Sequence, residues 1–188
     1  MKKLTLQEIA QWCEGTVASE FANITVDGIS TDSREIHPGQ LFIPLIGSRY
    51  DGHQYIHKAL EQGAVAVLTM KEIEDTIPAV HVQDTLIAYG KLASNYREYL
   101  GLKVIAITGS VGKTTTKEMV ASVMHTTYRT AKTEGNQNNE VGLPMTIMHI
   151  EQDCQYAVLE LGINHFGEMS RLTAIARPNI ALVTNIGT

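Results

Sequence analysis

The chain has 188 residues and a mass of 20.6 kDa, room for one domain or two small ones and enough to bury a core without covalent staples. A hydrophobic share of 44% excludes disorder as the main state, and 15 basic against 20 acidic side chains argue against a nucleic-acid binder, which carries a basic surplus. Two cysteines, Cys13 and Cys154, are too few for a disulfide framework, the first residues do not form a signal peptide, and no apolar run reaches the ~18 residues of a membrane helix, so the expected setting is the cytoplasm, without membrane insertion.

In chain order, Leu4, Ile9 and Trp12 at helical spacing predict a first helix, with Thr5 as N-cap and Gly15 as the stop. Two strands follow, Thr25–Thr31 and Leu41–Ile46, separated by the turn-forming His37-Pro38-Gly39. Gly52–Gly63 reads as a helix leading into the buried strand Ala64–Leu68, then a short strand Ala79–Val82. Asp84 caps a long helix that runs to Leu100. From there the rhythm is regular. Strand Val104–Thr108, a helix from Lys113, strand Arg129–Lys132, helix Glu140–His149, strand Ala157–Leu161, helix Gly167–Ala176 and strand Ile180–Thr184 alternate, which predicts βαβ units and a mostly parallel sheet. The fold class is therefore α/β, a small irregular domain over 1–83 followed by a parallel-sheet domain over 84–188. Ile180–Thr184 has a buried-strand pattern close to the last residue, so the second domain is expected to be incomplete at Thr188.

The sharpest signal is the apolar strand that runs into Gly109-Ser110-Val111-Gly112-Lys113-Thr114-Thr115. Gly109 and Gly112 let the backbone curl so that N–H groups point inward, and the helix N-terminus adds partial positive charge, which together suit phosphate oxygens. Lys113 can reach the β- and γ-phosphates of a nucleotide and the Thr114 hydroxyl can ligate Mg²⁺. The spacing departs from G-x-x-x-x-G-K-[ST], because Ile107 stands where the first glycine belongs. An ordinary strand–turn–helix with a surface lysine is the bland alternative; the order of strand, turn and Gly-Lys-Thr favours an ATP or GTP site.

The segments Thr108–Lys117 (TGSVGKTTTK), Thr133–Pro144 (TEGNQNNEVGLP), Glu160–Glu168 (ELGINHFGE) and Arg177–Gly187 (RPNIALVTNIG) together resemble the Mur ligases of peptidoglycan synthesis. Ser30–Arg34 (STDSR), Pro38–Ile43 (PGQLFI) and Arg49–His53 (RYDGH) agree, so the resemblance spans nearly the whole chain. It implies an ATP- and Mg²⁺-dependent amide ligase, in the branch that joins D-alanyl-D-alanine to UDP-N-acetylmuramoyl-tripeptide through an acyl phosphate. It also implies three domains, of which the chain would hold the UDP-substrate domain and the first part of the ATPase domain. A carbamylated lysine, the adenine contacts and the dipeptide-binding domain would lie beyond Thr188, leaving the chain inactive alone; it is expected to be a monomer.

Lys113, Glu160 and His165 are the expected catalytic residues. Glu160 ends a buried strand, where a doubly wound sheet presents ligand-binding groups, and a carboxylate there suits Mg²⁺; by itself it could equally pair with a helix terminus. With Thr114 and His165 it forms the expected metal set, the role of His165 and of the neighbouring Asn164 being implied by the resemblance. Asn136, Asn138 and Asn139 form an amide-rich loop able to bond sugar hydroxyls, carbonyls or phosphates, or simply to build a turn; the resemblance puts the loop on the muramoyl-pyrophosphate part of the substrate. Ser33 and Arg34, and the patch of Arg49, Asp51, Gly52 and His53, are expected on the uridine diphosphate end, since an arginine fork suits phosphate. Surface ion pairing is the alternative for both arginines. His53 and His57 have metal-ligand spacing but no third ligand, and both cysteines read as inert core thiols. Other readings are a related ligase with another amine substrate, a GTPase or kinase, for which no guanine-reading N/T-K-x-D segment exists, and a module that only binds UDP-sugar or nucleotide.

Overall fold

The computed structural model describes residues 1–187 and divides them into two compact units, Met1–Leu92 and the residues from Ala93 onward. The division falls inside a helix, Thr85–Tyr99.

In the first unit, β1 (Leu4–Thr5) pairs antiparallel with β3 (Thr25–Val26). Helix α1 (Leu6–Cys13) begins on a capping box: the Thr5 hydroxyl accepts from the Glu8 N–H at 3.2 Å, and the Glu8 carboxylate accepts from the Thr5 N–H at 2.7 Å. Its left-handed terminal residue is Glu14 (φ 56°), not Gly15. Gly15 is needed for another reason: a Cβ there would sit 2.5 Å from the His81 carbonyl oxygen.

Five strands make the main sheet of this unit: β2 (Thr16–Val17), β4 (Gly28–Ser30), β5 (Gln40–Phe42), β6 (Ala66–Thr69) and β7 (Ala79–His81). Their order is β2-β7-β6-β5-β4, parallel except for β2. The expected strand Thr25–Thr31 is two strands, because Asp27 turns out of β3 and donates its N–H to the Gly39 carbonyl. The strand expected over Leu41–Ile46 ends at Phe42. The expected helix Gly52–Gly63 is a 3₁₀ turn, Gly52–Tyr55, followed by α2 (Ile56–Glu61). Ile56 and Ala59 of α2 pack on Phe42, Val67 and Ala79 of the sheet, with Ile36 and Ala64 completing the cluster. The Cys13 thiol donates to the Ala88 carbonyl, and burial pushes its pKa up to about 12, so it is an inert core thiol.

In the second unit, β8 (Lys103–Thr108), β9 (Thr130–Lys132), β10 (Tyr156–Glu160) and β11 (Ile180–Val183) form an all-parallel sheet in the order β11-β8-β10-β9. The connecting helices are α4 (Lys113–His125), α5 (Gly142–Met148) and α6 (Glu168–Ala176), α3 being Thr85–Tyr99. Ile105, Ile107 and Val158 pack against Ala121 of α4. Val104, Ala106, Ala157 and Leu159, which alternate with them, are also buried, so both faces of β8 and β10 are covered.

Helix α5 starts two residues later than expected because the Asn139 side-chain oxygen accepts from the N–H groups of Val141 (3.1 Å) and Gly142 (2.8 Å). Among the described residues β11 pairs with β8 alone, and Ile180 is 58% and Val183 56% exposed. Cys154 is likewise half-buried, not in the core.

Candidate active site

The connection leaving β8 leads through α4 toward β9, whereas that leaving β10 leads through α6 to β11 on the opposite side of β8. The crossovers diverge between β8 and β10, and a doubly wound sheet opens its ligand crevice at the carboxyl ends of such strands. Residues Thr108–Thr114 and Glu160–Leu161 lie there, with Glu160 in register beside Ile107.

Gly109 (φ 135°) and Gly112 (φ 85°) bend the backbone through the left-handed region, and Gly112 is the N-cap of α4 without any side-chain cap. The N–H groups of Gly112, Lys113, Thr114 and Thr115 thus have no acceptor among the described residues, which leaves an anion-binding helix start. Lys113 folds back over the loop and its Nζ donates to the Gly109 carbonyl at 2.7 Å.

Glu160 is 3% exposed. Its Oε2 accepts from the Thr114 hydroxyl at 2.9 Å and its Oε1 from the Asn138 amide at 2.9 Å, while its N–H donates to the Thr133 hydroxyl at 2.9 Å. Among the described residues no cation pairs with it. Among the described residues this buried carboxylate accepts only from neutral donors and lacks a counter-charge, which a cation could supply. Carboxylate and hydroxyl oxygens are hard donors that suit Mg²⁺, an ion that keeps waters and phosphate oxygens as its remaining ligands.

Asn138 also packs so closely on Gly162 that a Cβ there would lie 2.8 Å from its side chain, and its carbonyl accepts the Gly162 N–H. The Asn139 side chain is taken up by the Val141 and Gly142 N–H groups described above, and the Asn136 carbonyl accepts the Asn138 N–H. Asn164 and His165 are exposed, their N–H groups both donating to the Glu168 carboxylate at 2.6 and 3.0 Å; those bonds hold the Glu168 pKa below the usual carboxylate range. Among the described residues no cluster of three His, Cys, Asp or Glu side chains could hold a metal, so Glu160 and His165 do not form one with a third such ligand.

In the first unit, Ser33 is buried and Arg34 bends back on Asp32, its Nε 2.9 Å from Oδ1 and its Nη2 2.5 Å from Oδ2. This contact lowers the Asp32 pKa to about 2. Asp51 caps the 3₁₀ turn, accepting from the His53 N–H at 3.0 Å, meets His53 Nδ1 at 2.8 Å and pairs with Lys71. Lys71 first, then His53, hold its carboxyl far below the ordinary range. His53 is buried with both ring nitrogens engaged, Nε2 accepting from the Met70 N–H at 3.5 Å. A Cβ on Gly52 would lie 2.8 Å from the Leu45 backbone. Arg49 is exposed and no partner contacts it among the described residues.

The description "Mur ligase family, catalytic domain" matches residues 25–146, and "Mur ligase middle domain" matches 107–188. The chain belongs to the Mur ligase family. Within that family, it is 43% identical to the UDP-N-acetylmuramoyl-tripeptide–D-alanyl-D-alanine ligase of Bacillus subtilis (strain 168), over 100% of this chain and 42% of the relative. Identity to the enzyme of the same name from Escherichia coli (strain K12) is 39%, over 99% of this chain and 41% of the relative. A crystal structure of MurF from Acinetobacter baumannii superposes with a TM-score of 0.93 at 37% identity, covering 100% of this chain and 42% of that one. A MurF ligase from Thermotoga maritima in complex with ADP gives 0.80 at 31% identity, covering 86% and 38%. This Mur ligase chain therefore spans less than half the length of these relatives. Its α/β architecture is the one expected, and among its described residues no helix is long and apolar enough to cross a membrane.

Two site residues escaped the sequence reading. Lys117 of α4 is 2% exposed and donates to the Thr133 carbonyl at 2.7 Å, the residue whose hydroxyl holds Glu160. It is paired at 3.0 Å with Glu118, which also meets Lys132. The other is Asn185, whose side chain accepts from the Val111 N–H at 2.9 Å. Nothing in the sequence singled out Lys117, one more lysine on the helix, or Asn185.

Proposed function

We propose that the chain is the UDP-substrate and nucleotide-binding part of an ATP-dependent amide ligase that joins D-alanyl-D-alanine to UDP-N-acetylmuramoyl-tripeptide. The observation that carries this is Glu160, a buried carboxylate with no cation partner among the described residues, held by Thr114 of the phosphate loop and Asn138 of the neighbouring loop. The names of the relatives support the substrate, and their similarity runs along the whole chain.

In this reading residues 84–188 bind ATP and residues 1–83 the UDP-linked substrate. The backbone from Gly109 through Ser110, Val111 and Gly112 to Thr115 curls around the phosphates, with the Lys113 ammonium on the β- and γ-phosphate oxygens. Thr114 and Glu160 would hold Mg²⁺, with His165 proposed as a further ligand, and the ion would supply positive charge where phosphoryl oxygens crowd. A carboxylate oxygen of the substrate attacks the γ-phosphorus and ADP leaves; the dipeptide amine then attacks the acyl carbon, phosphate departs and the amine loses a proton. Both partners of the first step are anionic, so Lys113 acts by neutralising charge that grows in the transition state. Asn136, Asn138, Asn139 and Asn164 offer amides to the muramoyl-pyrophosphate part, adding no negative charge. Ser33, Arg34, Arg49, Asp51, Gly52 and His53 receive the uridine diphosphate end, the exposed Arg49 having no partner among the described residues.

Calorimetric titration of the chain with UDP-N-acetylmuramoyl-tripeptide and, separately, with Mg-ATP tests this. Heat is expected at lower concentrations of the UDP-linked compound. Tight ATP binding with no response to the UDP-linked compound would contradict the division of labour.

A further inference from the structure

Strands β8 and β11 are parallel neighbours with Val183 opposite Thr108, so the chain leaves both at the same edge of the sheet and two loops run side by side. They are joined by more bonds than such neighbours need. The Ser110 N–H donates to the Asn185 carbonyl at 3.2 Å, the Val111 N–H to the Asn185 side-chain oxygen at 2.9 Å, and the Gly187 N–H to the Ser110 hydroxyl at 2.9 Å. The Thr184 hydroxyl donates to the Val111 carbonyl at 2.6 Å. The approach is so close that a Cβ on Gly109 would lie 2.1 Å from the Thr184 hydroxyl oxygen.

We propose that Thr184 and Asn185 are positioning residues that set the phosphate loop before any ligand arrives. This rests on the reading of that loop as a phosphate site. A trans peptide is planar, with its carbonyl and N–H pointing in opposite directions. Thr184 draws the Val111 carbonyl toward β11, so the Gly112 N–H in the same peptide points away from β11. Asn185 holds the other side of Val111. Of the loop's four residues Gly109–Gly112, only the two glycines are left-handed, and the peptides between them are the units able to flip. A flipped Val111–Gly112 peptide would present a carbonyl dipole to an anion in place of a donor.

The inference divides the loop. Ser110 and Val111 spend their N–H groups inside the protein, and Gly112, Lys113, Thr114 and Thr115 are the donors left for an anion. That narrows the set expected from sequence, in which Ser110 and Val111 also contacted phosphate.

Amide NMR of the 188-residue chain tests it, with Mg-ADP as the probe. In the free protein the Ser110 and Val111 amides should exchange with solvent more slowly than those of Gly112–Thr115, and Mg-ADP should shift the latter set. Thr184→Val keeps the shape and Asn185→Ala removes the acceptor. Each should weaken Mg-ADP binding about two- to tenfold, the range of one net hydrogen bond. Asn185→Ala should also speed Val111 exchange by a similar factor, and Asn185→Asp, which retains an acceptor, should restore its protection. Should Asn185→Ala not fold, the isosteric Thr184→Val still reads the affinity. Variants that bind Mg-ADP as well as or better than the parent chain, with Gly112–Thr115 still responding, would overturn the positioning role. If Gly112–Thr115 of the parent chain do not respond at all, the phosphate-site reading fails instead.

Discussion

Replacing Glu160 by Gln separates a structural carboxylate from a metal ligand, because the two roles predict opposite readouts. Glu160 accepts one bond on each oxygen, from Thr114 and Asn138, and both donors are neutral. Gln retains an oxygen for Asn138, and its NH₂ can donate to Thr114 once that hydroxyl rotates to accept. The lost charge weakens bonds worth about 1.5–3 kcal/mol each to a charged group, while relief of burying an unpaired carboxylate returns several kcal/mol. The net change should stay within about 1 kcal/mol, or roughly 4–8 °C in Tm for a unit of this size. Metal dependence should not survive. Removing a ligating carboxylate should cost at least as much as losing a supporting contact, about 10–100-fold in metal affinity. Differential scanning calorimetry gives the first quantity, and ADP titrations with and without Mg²⁺ give the second. A large fall in Tm with Mg²⁺ dependence intact would refute the metal role.

Lys117→Met keeps the methylene packing but removes the buried ammonium that holds the Thr133 carbonyl; Glu118 keeps Lys132 as partner. Losing one charge-assisted bond should cost about 1.5–3 kcal/mol and lower Tm accordingly, and an unchanged melt would show the contact contributes nothing. For Asp32, whose pKa near 2 lies below its unfolded value, the bond to Arg34 contributes stability above about pH 4 and loses it as pH falls from there toward 2. Arg34→Ala should raise the Asp32 pKa toward 4 in a carboxyl NMR titration, with little change in neutral-pH stability because the pair is exposed.

How much of this was readable from sequence depends on how local each signal is. The Thr5 N-cap and the strand–helix alternation from Lys103 onward are set within a few residues, and both stand as expected; the Glu8 half of the capping box was not foreseen. Strands β1 and β2 were missed because two residues carry no period; they exist through partners far along the chain, Thr25–Val26 and Val80–His81. The split at Asp27 and the late start of α5 at Gly142 were set by individual hydrogen bonds, from the Asp27 N–H to the Gly39 carbonyl and from the Val141 and Gly142 N–H groups to the Asn139 side-chain oxygen. At the site, Lys113, Thr114 and Glu160 were legible because phosphate loops and strand ends have recognisable order. Lys117 reads in sequence as one more surface lysine, and Asn185 meets Val111 only because β11 returns beside β8, a contact 74 residues apart.

Centrally, the backbone N–H groups of Gly112–Thr115 and the Lys113 ammonium are proposed to hold nucleotide phosphate. Calorimetric titration of Mg-ADP into the chain and into its Lys113→Ala variant tests it most directly. A lysine bonding phosphate oxygens contributes about 1.5–3 kcal/mol, so the variant should bind about 10–100-fold more weakly while melting at nearly the same temperature. Equal affinity in the two proteins would contradict the claim.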